Sequence, residues 1–263
     1  NPDSGDPPYW QEFTVNVKPG MTVLDGLHAI KENQDHSLAM RYSCRMGVCG
    51  SCAMLINGSP ALSCNTQILE ISDRMLVIAP LPNFDIIKDL VPDIMPMFEK
   101  HRSVMPYLHR SDPDEMENPT REYYQSEDQL IRYLQFSYCV KCGACMAACP
   151  TVATDTEYLG PMPLTQAHRY NWDTRDSGFN ARKAIVGNDS GVFRCHYAGE
   201  CSRVCPKGVD PARAIQYKKR QLVMDYVKLL KQQSPCRVVE APEKALNHDV
   251  PTPPAYTVLQ KND

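Results

Sequence analysis

No two glycines in this sequence are separated by a single residue, so the G-x-G core of a dinucleotide-binding turn is missing, and no G-x-x-x-x-G-K-[ST] stretch is present to cradle phosphates. By motif the chain binds neither a nicotinamide cofactor, a flavin nor a nucleotide. It also lacks CxxCH, the attachment site of a c-type haem. Apolar runs are short, Met75–Pro82 being among the best, and fall far below the roughly 18 residues of a spanning helix. The N-terminal residues show no charged-then-apolar signal pattern, so the expectation is a protein held at a membrane only by other chains. No Lys/Arg run exceeds Lys218-Lys219-Arg220 and the net charge is −3, which leaves little from which to build a phosphate-neutralising surface and argues against nucleic acid as a partner. Cysteine is plentiful but, at 12 in 263 residues, falls well short of the roughly 8–10% of a disulfide-stapled scaffold. With 43% hydrophobic and 22% charged residues, the chain has the composition of a folded protein with room for two domains.

From Glu12 to Val17 apolar and polar residues alternate and Pro19-Gly20 ends the run, which predicts a half-buried strand. Thr22 and Asp25 form a [ST]-x-x-[DE] capping box before Val23, Leu27 and Ile30 at helical spacing. Cys52–Ile56 reads as a strand that turns at Asn57-Gly58, and Arg74–Ala79 reads as another. Prolines at 82, 92, 96, 106, 113 and 119 mark a boundary region between Leu81 and Arg121. Within it, Ile86, Ile87, Leu90, Val91, Ile94, Met97 and Phe98 have helical spacing that Pro92 and Pro96 interrupt, predicting a kinked helix. Beyond Gln129 the pattern is mostly helical. Asp210-Pro211 is an N-cap with Pro at the first helical position, and Ile215, Leu222, Val223, Tyr226, Val227 and Leu230 line one face of a helix running to about Gln232. Ser234–Asp263 reads as a surface tail.

Eleven cysteines fall into three groups. Cys44-x4-Cys49-x2-Cys52, with Cys64 following, has the plant-ferredoxin spacing for a 2Fe-2S cluster. Gly47 and Gly50 leave the backbone free to approach and direct amides at the sulfurs, and Cys64 arrives from across the hairpin. A zinc knuckle is the alternative, but zinc sites favour paired CxxC units. Cys139-x2-Cys142-x2-Cys145-x3-Cys149-Pro150 is the bacterial-ferredoxin run, whose fourth cysteine ligates a different cluster from the first three. Cys195-x5-Cys201-x3-Cys205-Pro206 is its partner, except that Ala198 stands where a complete run would carry cysteine. Cys139, Cys142, Cys145 and Cys205 thus suit a 4Fe-4S cubane, while Cys149, Cys195 and Cys201 supply three ligands, as for a 3Fe-4S cluster. Counting Cys236 would also give complete sets of four. It follows the long helix, far from any motif, and is read as a non-reactive thiol. So many thiolates committed to metal indicate a reducing compartment. Three redox centres without a substrate motif make a conductor between other proteins' sites.

With the groups in this order, the sequence resembles the iron-sulfur subunits of succinate dehydrogenases and fumarate reductases. The likeness spans roughly Phe13 to Gln232 and rests on Ser43-Cys44-Arg45-Met46-Gly47-Val48-Cys49-Gly50-Ser51-Cys52, Leu164-Thr165-Gln166-Ala167-His168-Arg169-Tyr170 and Cys205-Pro206-Lys207-Gly208-Val209-Asp210-Pro211. The resemblance implies an α+β chain, with a β-grasp 2Fe-2S ferredoxin domain (residues 1–105) followed by an all-α ferredoxin-like domain (residues 106–263). It implies docking between an FAD-containing catalytic subunit and membrane anchor subunits, with electrons passing between flavin and quinone through the 2Fe-2S, 4Fe-4S and 3Fe-4S centres. It further implies a peripheral protein on the cytoplasmic face of a bacterial membrane, or the matrix side if mitochondrial. Ubiquinone-reducing relatives place tryptophan soon after the cysteine matching Cys149. Here Pro150 is followed by Thr151, Val152, Ala153 and Thr154, and Leu164–Asp176 is similar to the fumarate-reductase branch, which favours menaquinone. Pro150 and His196 match positions near quinone in relatives, although His196 could equally hydrogen-bond its cluster or the backbone. Arg45 could tune the 2Fe-2S potential or simply be solvated. Two other classes compete: an iron-sulfur adaptor for a different oxidoreductase, which commonly lacks the N-terminal 2Fe-2S unit, and a zinc-stabilised interaction protein.

Overall fold

Thr22 accepts the Asp25 amide while the Asp25 carboxylate takes the Thr22 N–H at 2.9 Å, a reciprocal cap that starts helix α1, Val23–Asn33. The structure, a computed structural model, describes residues 5, 7–71, 74–118, 120–229 and 237–240. After α1 the chain forms β1 (Ala53–Ile56) and β2 (Ser59–Leu62), antiparallel with Ile56 opposite Ser59. Asn57 and Gly58 both have positive φ, +47° and +77°, as the two-residue hairpin turn requires. Asn57 also fixes the next strand, β3 (Ile78–Ala79). Its amide donates to the Val77 carbonyl and its side chain accepts the Val77 N–H, both at 2.8 Å. The sheet order is β2-β1-β3, with β3 antiparallel to β1. Between β2 and β3 lies the short helix α2, Ile68–Ile71. Val23, Leu27, Met54, Ile56, Ile68 and Leu90 close the core between α1 and the sheet.

Two expectations for this half fail. Glu12–Val17 is not a strand: Phe13, Val15 and Val17 are half-buried between exposed neighbours, but no ladder forms. Alternation reports a two-sided environment, and a strand also needs a partner edge. Nor is Ile86–Phe98 a kinked helix. It folds as the hairpin β4 (Ile86–Lys88) and β5 (Val91–Pro92), and helix α3 (Met95–Ser103) begins only afterwards. Pro96 sits in the first turn of α3, where a missing N–H is harmless, and Pro92 takes the end of a two-stranded edge.

The second half is helical as expected: α4 (Pro113–Glu117), α5 (Glu127–Ser137), α6 (Ala144–Ala147), α7 (Pro150–Thr154), α8 (Pro161–Asn171), α9 (Phe179–Val186), α10 (Glu200–Arg203) and α11 (Pro211–Tyr226). Almost every residue of α8 is buried, and it packs against α5, α3, α9 and α11. Asp210 caps α11 by accepting the Arg213 amide at 3.0 Å, with Pro211 next. The predicted apolar face of α11 is only partly right. Ile215 and Leu222 are buried with Ala212, Ala214 and Lys218, whereas Val223, Tyr226 and Val227 are exposed and Leu230 lies outside the described residues. Nor does the basic run present one surface: the Lys218 ammonium is enclosed and donates to Gln221 Oε1, and Lys219 donates to the Cys195 carbonyl. The expected tail is also corrected in part, since β7 (Arg237–Glu240) pairs antiparallel with β6 (Arg121–Tyr124).

The halves meet over a shared apolar cluster in which Leu24, Cys52, Leu62, Cys64 and Leu81 pack with Ala147 and Cys142. Asn83, at φ +65°, fastens the join: its side-chain amide donates to the carbonyls of Met146, Ala147 and Cys149 at 3.0, 2.9 and 3.3 Å.

Candidate metal centres

Five backbone amides point at thiols of the first group. Gly47 N–H donates to Cys64 Sγ (3.2 Å), Val48 and Cys49 to Cys44 Sγ (3.3 and 3.2 Å), and Cys44 and Ser51 to Cys49 Sγ (3.5 Å each). Arg45, Gly47 and Gly50 all have positive φ, which turns successive amides inward around the loop. The Ser51 side chain, with the Cys44 and Ser51 amides, pulls Cys49 down to about 6. Burial, then the neighbouring Cys52 thiol, pushes Cys64 up to about 11. Such a nest favours sulfur carrying negative charge, the state in which thiols ligate iron. The Arg45 guanidinium lies 5.3 Å from the centre of the Tyr42 ring.

Cys139, Cys142, Cys145 and Cys205 line one cavity together with Met162, Thr165, Pro206 and Val209. Burial dominates here, raising Cys139, lifting Cys142 to about 11 and holding Cys145 well above the ordinary thiol range, with each other's thiols adding to the shift. Three thiols that resist ionisation, gathered with a fourth around one cavity, are a poor arrangement for free cysteines. Metal binding releases those protons and offsets the burial.

The third group gathers separately. Cys201, raised to about 12 by burial and then by Cys149, has Cys149 and Cys195 as its thiol neighbours. Its loop repeats the backbone of the second: Lys141 and Gly143 have φ of +56° and +85°, Tyr197 and Gly199 have +62° and +80°, and each glycine caps a short helix bearing the next cysteine. Ala198 therefore occupies the place that Cys142 holds in the first copy. Pro150 begins α7 and is exposed, as is His196 on the loop beside Cys195. Cys236 lies outside the described residues.

All eleven cysteines of the three sets are unbridged, and among the described residues no three His, Cys, Asp or Glu side chains converge closely enough to hold one metal ion. Four thiolates on zinc would stand about 3.8 Å apart, given tetrahedral bonds of about 2.3 Å. No set among the described residues is drawn in for a single ion, and thiols gathered around one space with backbone amides aimed at sulfur fit a group of several irons.

Contacts between the sets were invisible in the motifs. A Cβ on Gly50 would stand 2.8 Å from the Val140 carbonyl oxygen and 2.9 Å from Cys142 Cβ, so the first cysteine loop abuts the second with only hydrogen between them. Lys207, two residues beyond Cys205, donates to the Gly47 carbonyl at 3.2 Å. Cys145 in turn lies near both Cys205 and Cys201. The three sets form a row in the order first, second, third.

Residues 1–99 match the family described as a 2Fe-2S iron-sulfur cluster binding domain, and residues 135–209 match the 4Fe-4S dicluster domain. The chain is therefore an iron-sulfur electron-transport protein with ferredoxin-type domains in tandem. It is 40% identical to the fumarate reductase iron-sulfur subunit of Haemophilus influenzae, over 86% of this chain and 91% of that protein. Against the Mycobacterium tuberculosis fumarate reductase iron-sulfur subunit identity is 42%, over 82% and 86%. Against the mitochondrial succinate dehydrogenase [ubiquinone] iron-sulfur subunit of Candida glabrata it is 40%, over 86% and 89%. A solved chain from the Mycobacterium smegmatis Sdh1 complex in the apo form superposes with a TM-score of 0.71 at 29% identity, covering 81% of this chain and 89% of that one. The chain belongs to the family of succinate dehydrogenase and fumarate reductase iron-sulfur subunits.

Proposed function

We propose that this subunit carries electrons between the FAD of a catalytic subunit and a membrane quinone, through a 2Fe-2S centre on Cys44, Cys49, Cys52 and Cys64, a 4Fe-4S centre on Cys139, Cys142, Cys145 and Cys205, and a 3Fe-4S centre on Cys149, Cys195 and Cys201. The observation that carries this reading is the row of three thiol sets, the first touching the second at Gly50 and the second adjoining the third at Cys145. The 2Fe-2S unit takes the β-grasp form, with the domain division near residue 105. Clusters supply the one-electron steps; the chain supplies amide donors, burial and spacing. The third set faces the anchor subunits, where Pro150 and His196 border the quinone, menaquinone being the expected one. No described helix is long and apolar enough to cross a membrane, so the anchors retain the subunit, at the cytoplasmic face in a bacterium. Anaerobically purified chain is expected to carry about nine irons and ten inorganic sulfides, the sum for these three cluster types. Stoichiometric zinc with little sulfide would end the reading.

The repeated backbone makes Ala198→Cys a sharp test, because the new thiol would enter the position that Cys142 fills in the matching loop. A fourth ligand lets a fourth iron bind and lowers the potential of the terminal centre, since cluster potential follows type and net charge. Oxidised wild type is expected to show the half-integer-spin EPR signal of a 3Fe-4S centre, and the variant to lose it while quinone reduction slows.

A further inference from the structure

Tyr158 is fully buried, yet among the described residues its hydroxyl has no hydrogen bond of ordinary geometry. An enclosed polar hydrogen without an acceptor is disfavoured unless something fills the space before it. The titratable groups around this hydroxyl are the thiols of Cys195, Cys149 and Cys201, with Cys195 beside it. The backbone allows the ring little freedom. Tyr158 N–H donates to the Asp155 carbonyl at 3.3 Å, its own carbonyl accepts Lys100 Nζ at 2.8 Å, and the next amide, Leu159, donates to Ser190. A phenol, with an ordinary pKa of about 10, keeps its proton at neutral pH.

We infer that the Tyr158 hydroxyl donates a hydrogen bond into the third centre, to the Cys195 thiolate or an inorganic sulfide beside it, and so raises that centre's reduction potential. The inference rests on the three-thiolate reading of Cys149, Cys195 and Cys201. Reduction adds one electron and moves no proton; the donor stabilises the more negative, reduced form more than the oxidised one. Tyr197 N–H already donates to Cys195 Sγ at 3.4 Å, and Tyr158 acts in addition to it.

Tyr158→Phe removes the hydroxyl and keeps the ring that fills the core. In the assembled complex, a redox titration followed by EPR is expected to show the oxidised 3Fe-4S signal retained, with its midpoint lowered by about a tenfold change in the reduction equilibrium, about 59 mV for one electron. The midpoint of the first centre should not move. After exchange into deuterium oxide, wild type should show a deuteron coupling to the third centre that the variant lacks. If the signal persists with an unmoved midpoint, the hydroxyl donates nothing and the inference is wrong. If the variant loses the signal that wild type shows, Tyr158 is a structural prop and the inference again fails. A wild type with no such signal overturns the three-thiolate reading itself.

Discussion

Gly50→Ala is expected to separate the first and second centres, whereas Gly47→Ala, three residues earlier in the same loop, is not. Both glycines hold left-handed backbone, φ +78° and +69°, so either substitution costs about 1–2 kcal/mol in backbone conformation. Their surroundings differ. The nearest atoms to a Cβ at 47 belong to the Asn65 side chain at 3.6 Å, an ordinary contact, but at 50 they include the Val140 carbonyl oxygen at 2.8 Å. Backbone cannot rotate aside as a flexible side chain can, so relief at position 50 requires the two cysteine loops to move apart. Melting of the holo-protein should fall by about 2–4 °C per kcal/mol lost in both variants, and further in Gly50→Ala. The decisive measurement is microwave power saturation of the reduced first centre, whose relaxation is enhanced by a paramagnetic second centre nearby. That enhancement is expected to weaken in Gly50→Ala and persist in Gly47→Ala. Equal enhancement in both would show that the contact does not set the spacing.

The local features of this fold were readable because each is encoded within a few residues. The Thr22–Asp25 cap, the Asn57-Gly58 turn and the Asp210-Pro211 helix start all follow from hydrogen bonds or φ values available to a short segment. Cysteine spacing was similarly legible, since the reach of a loop around a cluster is a local constraint. Pairing and packing were not. The Glu12–Val17 alternation says that one side is half-buried but cannot name a partner strand, and the helical spacing around Ile86 and Leu90 arises in a hairpin where Leu90 joins the α1 core while Ile86 and Ile87 are exposed. Val223 and Tyr226 satisfy a helical period on a helix whose buried side is carried instead by Ala214, Ile215 and Lys218. Asn83, Lys207 and Tyr158, the residues that join or line the cysteine sets, meet groups outside their own segments, and no motif spacing records these contacts. The clue for Lys207 was its place directly after Cys205-Pro206.

Arg182→Leu is expected to cost the most stability of any single change away from the cysteines. All five donors of this fully buried guanidinium are used: Nε on the Met105 carbonyl (3.0 Å), Nη1 on Asn171 Oδ1 (2.8 Å) and Asp176 Oδ1 (2.7 Å), Nη2 on the Tyr107 carbonyl (2.6 Å) and Asp176 Oδ2 (2.9 Å). One side chain thereby ties the segment after α3 to the end of α8 and the start of α9. Removing it leaves the Asp176 carboxylate, at 1% exposure, with the His109 and Gly178 amides but no cation, and takes a donor from each of the Met105 and Tyr107 carbonyls. Breaking a buried pair in this way costs about 3–5 kcal/mol, a fall in melting temperature of about 6–20 °C for a chain of this size. The damage should reach the second centre, because Met162 and Thr165 of α8 line the cavity of Cys139, Cys142, Cys145 and Cys205. Iron loss on mild warming is therefore expected to begin there, read as early bleaching of the EPR signal of the reduced 4Fe-4S centre before that of the 2Fe-2S centre. Arg182→Leu combined with Asp176→Leu removes both charges, and its melting temperature should recover part of the loss. A double variant no more stable than the single one would show that the carbonyl contacts, rather than the stranded carboxylate, carry the cost.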